Sequence, residues 1–177
     1  MESNIVINDP IVIPLKGQWF ENGYYVYVVV TDYQDEKYFY VGMTGDRKHI
    51  MARSPFYRMS GHFQLRNSTQ NQIIKGIERV LGISGSNNEV IKTMDFTYYA
   101  WKLRDFYPEI NSELHHSNRI VAEKVESQLI KFCQEKFGKE KMFNHQVSRK
   151  DFAGYEKVSQ SIMNQLLDKI ELPKDGE

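Results

Sequence analysis

The chain has 177 residues, 41% hydrophobic and 13% aromatic, enough for a sizeable core, which counts against disorder along its whole length. Lysine plus arginine and aspartate plus glutamate each total 23, and a net charge of zero argues against broad, non-specific nucleic-acid affinity while leaving room for a local basic groove. The single cysteine, Cys133, makes no internal disulfide and cannot build a zinc site alone.

No apolar run approaches the ~20 residues of a membrane span, and the start lacks the basic-then-apolar pattern of a secretory signal. A cytoplasmic protein is the expectation. Ile5 to Pro14 alternates short β-like stretches with prolines and reads as an N-terminal extension (1–22) with one edge strand. Tyr24 to Thr31 is dense in β-branched and aromatic residues and predicts a strand, followed by a polar turn from Asp32 to Lys37 and a second strand from Tyr38 to Met43. These form a hairpin.

The stretch from Thr44 to Ser54 is polar and irregular, with Gly45-Asp46 as a turn signal. Ser54 as cap and Pro55 at the first helical position predict a helix from Phe56 to Leu65. A second helix is expected from Asn71 to Leu81, where Ile73, Ile74, Ile77, Val80 and Leu81 recur at amphipathic spacing, and a loop follows to Asn88. Asp95 to Trp101 predicts a third strand. A long helix is expected from Asn118 through Phe137, with Gly138 ending it, and a last one from about Gly154 to Ile170 ahead of a polar tail. This order implies an α+β domain: a small three-stranded antiparallel sheet flanked by helices.

Two tyrosine triplets, Gly23-Tyr24-Tyr25 and Tyr40-Val41-Gly42, lie on the two hairpin strands, and antiparallel pairing brings their phenols to one end of the sheet. Residues two apart on a strand share a face, so Tyr25 and Tyr27 are alternatives for the partner of Tyr40, and the register decides between them. Downstream lie Arg58 with His62 four residues on, Glu126 in the long helical run, and Asn144. Phenols, a guanidinium, an imidazole and a carboxylate together suit the cutting of a phosphodiester, which needs an activated water and neutralised phosphoryl oxygens.

In this order the fragments resemble the GIY-YIG nuclease superfamily, in which two such triplets lie on adjacent strands and an arginine follows on the first helix. The Arg-x-x-x-His pairing of Arg58 and His62 is similar to the restriction and homing branches; Arg53 is the rival, nearer Gly42 but without that partner. Glu126-Ser127-Gln128-Leu129-Ile130 resembles the metal-binding helix of the family, and Asn144 the asparagine after it. The resemblance runs from about Gly23 to His145, a domain of 23–146 with an insert at about 66–116, and leaves 147–177 as a C-terminal helix and tail. Tyr24 replaces a small aliphatic residue, and the stretch between the triplets is longer than usual.

What the resemblance implies is a Mg²⁺- or Mn²⁺-dependent endonuclease on double-stranded DNA. Glu126 would hold the cation, which prefers oxygen ligands, with Glu123 as the weaker alternative. Arg58 would bind the scissile phosphate, and Tyr25 would act as general base or relay. Tyr40 would orient water or phosphate, His62 would assist the phenol or bond a phosphate oxygen, and Asn144 and Gly42 would support. A one-metal site cuts one strand at a time, so cutting both strands would call for a homodimer. The alternatives are a non-catalytic nucleic-acid-binding or interaction module on the same fold and a nuclease acting on RNA.

Overall fold

The unbroken apolar run of the first strand reflects a strand buried on both faces. In the structure, a computed structural model describing residues 13–63, 71–83, 88–145 and 154–170, β1 (Gly23–Tyr33) lies in the centre of a three-stranded sheet of order β2-β1-β3. β2 (Glu36–Met43) and β3 (Asp95–Asp105) pair with it antiparallel on either side. Val26, Val28 and Val30 face one way and Tyr27 and Val29 the other, each set buried in its own apolar cluster. A strand covered on both sides has no polar face to alternate with, hence YYVYVVVT.

The hairpin turn is tighter than its polar sequence suggests. Tyr33 pairs with Glu36, so only Gln34 and Asp35 turn the chain, both with positive φ (52° and 62°). Between Tyr24 and Tyr25 the pairing with β3 slips by one, skipping Leu103, which bulges the edge strand.

Helices cover both faces. On the Tyr27 face sit α1 (Pro55–His62) and α2 (Gln72–Leu81). Ser54 caps α1, its hydroxyl accepting from the Tyr57 amide at 3.4 Å. Gly82, at φ 67°, ends α2 in the left-handed conformation that glycine adopts without steric cost. A four-residue helix, α3 (Asn88–Ile91), which periodicity did not predict, leads into β3. On the valine face lies α4 (Ser112–Phe137), crossed by α5 (Glu156–Leu167), whose Ile162, Met163 and Leu166 complete the larger core.

α4 begins six residues before the expected Asn118. The apolar stripe does start there, but Asn111 accepts from the Leu114 amide at 2.8 Å and caps a polar first turn that tertiary contacts hold. His115 in that turn accepts the Tyr24 hydroxyl proton at Nδ1 (2.7 Å) and donates from Nε2 to the Asp46 carbonyl (2.9 Å), tying α4 to β1 and to the loop after β2.

After α4 the chain returns along the free edge of β2. Met142 bridges Phe39 in parallel, and the Phe143 amide donates to the Phe39 carbonyl at 2.7 Å. The edge strand expected within Ile5 to Pro14 falls almost wholly outside the described residues, as do the stretch beyond Phe63 to residue 70 and the polar tail.

Candidate functional site

Cross-strand pairing settles where the phenols meet. Tyr27 pairs with Gly42, and Tyr40 with Val29 beside it, so Tyr27 and Tyr40 are diagonal neighbours on one face, with ring centroids 6.3 Å apart. Gly42 is essential to this arrangement: a Cβ there would lie 2.4 Å from both Cζ and the hydroxyl oxygen of Tyr27, so only glycine lets the ring cross β2. The ring then reaches α1, where the Tyr27 hydroxyl and His62 Nε2 share a hydrogen bond of 2.6 Å. Tyr40 meets the His62 ring edge-on at 4.9 Å. Residues Tyr27, Tyr40 and His62 are 0%, 8% and 1% exposed, so they form an inner cluster.

Arg58, one helical turn before His62, forms the rim and stays partly exposed. Burial raises the pKa of Tyr27, and Arg58 opposes it more than Glu126 reinforces it. Tyr40 is pushed well up by burial, then by Tyr27 and Glu126. Burial works against the Arg58 cation, but Tyr27, Tyr40 and Tyr98 outweigh it and raise its pKa. The guanidinium remains charged, with its Nε left without a hydrogen-bond partner among the described residues.

Glu126 approaches from α4, the helix that covers the opposite face, yet its carboxylate is within electrostatic reach of Tyr27, Tyr40 and Arg58. Burial, helped by Glu123 and opposed by Arg58 and Arg119, pushes it up to about 8. Part of the side chain nonetheless reaches the surface. A carboxylate raised chiefly by burial and still open to the surface is a candidate ligand for a hard cation, which takes one or two carboxylates and keeps several waters. Glu123 is engaged with Arg119 at 2.9 Å, which separates the roles of the two glutamates.

Asn144 lies at the edge of β2, where its side-chain amide bonds both backbone groups of Val41: Oδ1 accepts at 2.9 Å and Nδ2 donates at 2.8 Å. It stands in for a neighbouring strand between Tyr40 and Gly42. Arg79 of α2 holds the same return segment through the Met142 and Asn144 carbonyls at 3.2 and 3.1 Å.

Two of the residues singled out from sequence lie apart from this cluster. Tyr25, on the same face as Tyr27 but one step along the strand, sits among Glu21, Lys102 and Asp105. Arg53 stacks its guanidinium over the Tyr57 ring at 4.1 Å. A third phenol joins unannounced: Tyr98 of β3 stacks on Tyr27 at 4.8 Å, and its buried hydroxyl has no hydrogen-bond partner among the described residues. Its sequence signal was only membership of the Phe96 to Trp101 aromatic run, which the third strand explains equally well.

No family model, curated protein or solved structure matches the chain. Among the described residues no helix is long and apolar enough to cross a membrane. The reading of the site therefore rests on its own chemistry.

Proposed function

We propose that this chain is a metal-dependent endonuclease of GIY-YIG type that hydrolyses phosphodiester bonds in DNA, with Tyr27 rather than Tyr25 as the central phenol. The observation that carries the reading is the 2.6 Å bond between Tyr27 and His62, with Arg58 and Glu126 both electrostatically coupled to that phenol.

The proton path follows from this bond. With His62 Nε2 unprotonated, the phenol donates to it and keeps its oxygen lone pairs free to accept from a water. As the water's proton moves to the Tyr27 oxygen, the phenol's own proton passes to His62, so the tyrosine never becomes a free phenolate. That matters because burial holds its pKa above the ordinary value and a buried phenolate would be costly. Arg58 on the rim offers a planar fork to the phosphoryl oxygens. Tyr40, beside Tyr27 and edge-on to His62, orients the attacking water. A Mg²⁺ or Mn²⁺ ion held by Glu126 would supply charge neutralisation at the phosphoryl and leaving oxygens.

The test is plasmid nicking with Mg²⁺ by the wild-type chain, Glu126→Ala and Arg58→Ala. Metal-dependent nicking by the wild type alone is expected, and equal nicking by all three would overturn the assignment. A second reading, a non-catalytic nucleic-acid-binding module, is favoured by the near-complete burial of Tyr27 and His62. It requires tight binding with no cleavage under any metal.

A further inference from the structure

We infer that a cleft beside the candidate site holds a nucleobase of the strand being cut, and that it selects bases carrying an exocyclic amine. This rests on the nuclease reading and names a specificity pocket for it. The cleft has a volume of about 340 Å³, within the range of small-ligand sites, which runs from about 300 to 1,000 Å³. Its walls are the one-turn helix Gly17–Phe20, the start of α1, and the adjoining ends of β1 and β3.

Position ties the cleft to the chemistry. Tyr25 in its wall precedes Tyr27 by two residues on the same face, a step of about 7 Å along a strand. Ala100, also in the wall, pairs directly with Tyr27 across the ladder, and Pro55 opens the helix that carries Arg58. Trp19 packs edge-on against Tyr98 at 5.4 Å, and Tyr98 stacks on Tyr27, so the aromatic surface continues from the cleft to the inner cluster. A phosphate at Arg58 would leave its adjacent nucleoside at the mouth of this cleft.

Composition gives the chemical class. Trp19, partly exposed, offers ring surface for stacking, while Tyr25, which is buried, only lines the wall. The Gln18 amide can donate and accept. Among the described residues the one cation in the wall, Lys102, is held between the carboxylates of Glu21 and Asp105, so the charge these three carry is net negative and a phosphate is disfavoured there. A carboxylate such as Glu21 accepts from the amino group of cytosine or adenine, whereas thymine offers it only an N3–H flanked by two carbonyl oxygens that repel the carboxylate.

Trp19 reports on its own cleft. In a Trp101→Phe background, which removes the other tryptophan, deoxycytidine and deoxyadenosine should quench Trp19 fluorescence saturably in the millimolar range with EDTA present. Thymidine should bind more weakly by about five-fold or more, the lower end of discrimination from one well-made base contact. Gln18→Ala, at an exposed position, should weaken the amine-bearing nucleosides, and calorimetric titration of the unmodified chain should give the same order. In cleavage, Trp19→Ala should raise KM by about five-fold or more, the lower end of one lost base stack, with little change in kcat.

Absence of saturable binding, or thymidine and inorganic phosphate acting like deoxycytidine, would overturn the inference. The two proposals fail separately. Nicking of plasmid without nucleoside binding removes the pocket and leaves the nuclease. Selective nucleoside binding without nicking removes the hydrolase and leaves the pocket.

Discussion

Tyr27 lays its ring across β2 because position 42 has no side chain, and its hydroxyl meets His62 because α1 starts at a capped Pro55 and runs two turns. Removing only the hydroxyl tests its role without emptying the core: Tyr27→Phe should lower kcat by about 100-fold or more, the usual worth of a positioned acid–base group, while Tyr57→Phe on the outer face of α1 leaves it unchanged. Single-turnover cleavage, with circular dichroism as a folding control, reads this. Glu126 gives a pH signature. Its folded pKa of about 8 lies above the ordinary carboxylate value of 4.5, so the metal-free folded state holds a proton that the unfolded chain has released. Stability is therefore greatest below the lower value and falls as pH rises toward the upper one. Thermal melts in EDTA should show that decline, Glu126→Gln should flatten it, and Mg²⁺ at alkaline pH should stabilise the wild type alone. A slope that survives Glu126→Gln would place the proton on another group.

At the level of elements, local chemistry was easy to read wherever a short signal stood alone. The Ser54-Pro55 start of α1, the glycine ends of α2 and α4 and both hairpin strands all follow from a few adjacent residues. The start of α4 did not: its Asn111 cap is local, but the turns after it are polar, and the bonds from His115 to Tyr24 and Asp46 that hold them are distant in sequence. The hairpin turn offers a test of local strain. Gln34 and Asp35 both take positive φ, for which an asparagine followed by a glycine is the favoured pair. The double substitution Gln34→Asn with Asp35→Gly should stabilise the chain by about 1 kcal/mol, since left-handed backbone costs a non-glycine residue roughly 1–2 kcal/mol. Denaturant melts with an unchanged slope would record it; no gain would mean that the side chains lost had compensated for the strain.

For the whole molecule, balanced totals of 23 cationic and 23 anionic residues limit how many phosphates the surface can neutralise at once. On the proposed function, binding of the Glu126→Gln protein to duplex DNA should weaken with salt at a log–log slope of about −3 or shallower, corresponding to about three phosphates. Fluorescence anisotropy across a salt series measures it, and a slope much steeper than that would reveal a basic track elsewhere on the surface. Residue order alone established the α+β class and the hairpin and nominated most of the candidate side chains, because each depends on neighbours within a few positions. It could not choose between Tyr25 and Tyr27, which any single strand presents on the same face, nor reveal Tyr98 as a neighbour. Those outcomes came from the pairing of β1 with β2 and β3, from the gap at Gly42, and from a carboxylate carried on the helix packed against the opposite face. Such contacts join positions tens of residues apart, and no local pattern encodes them.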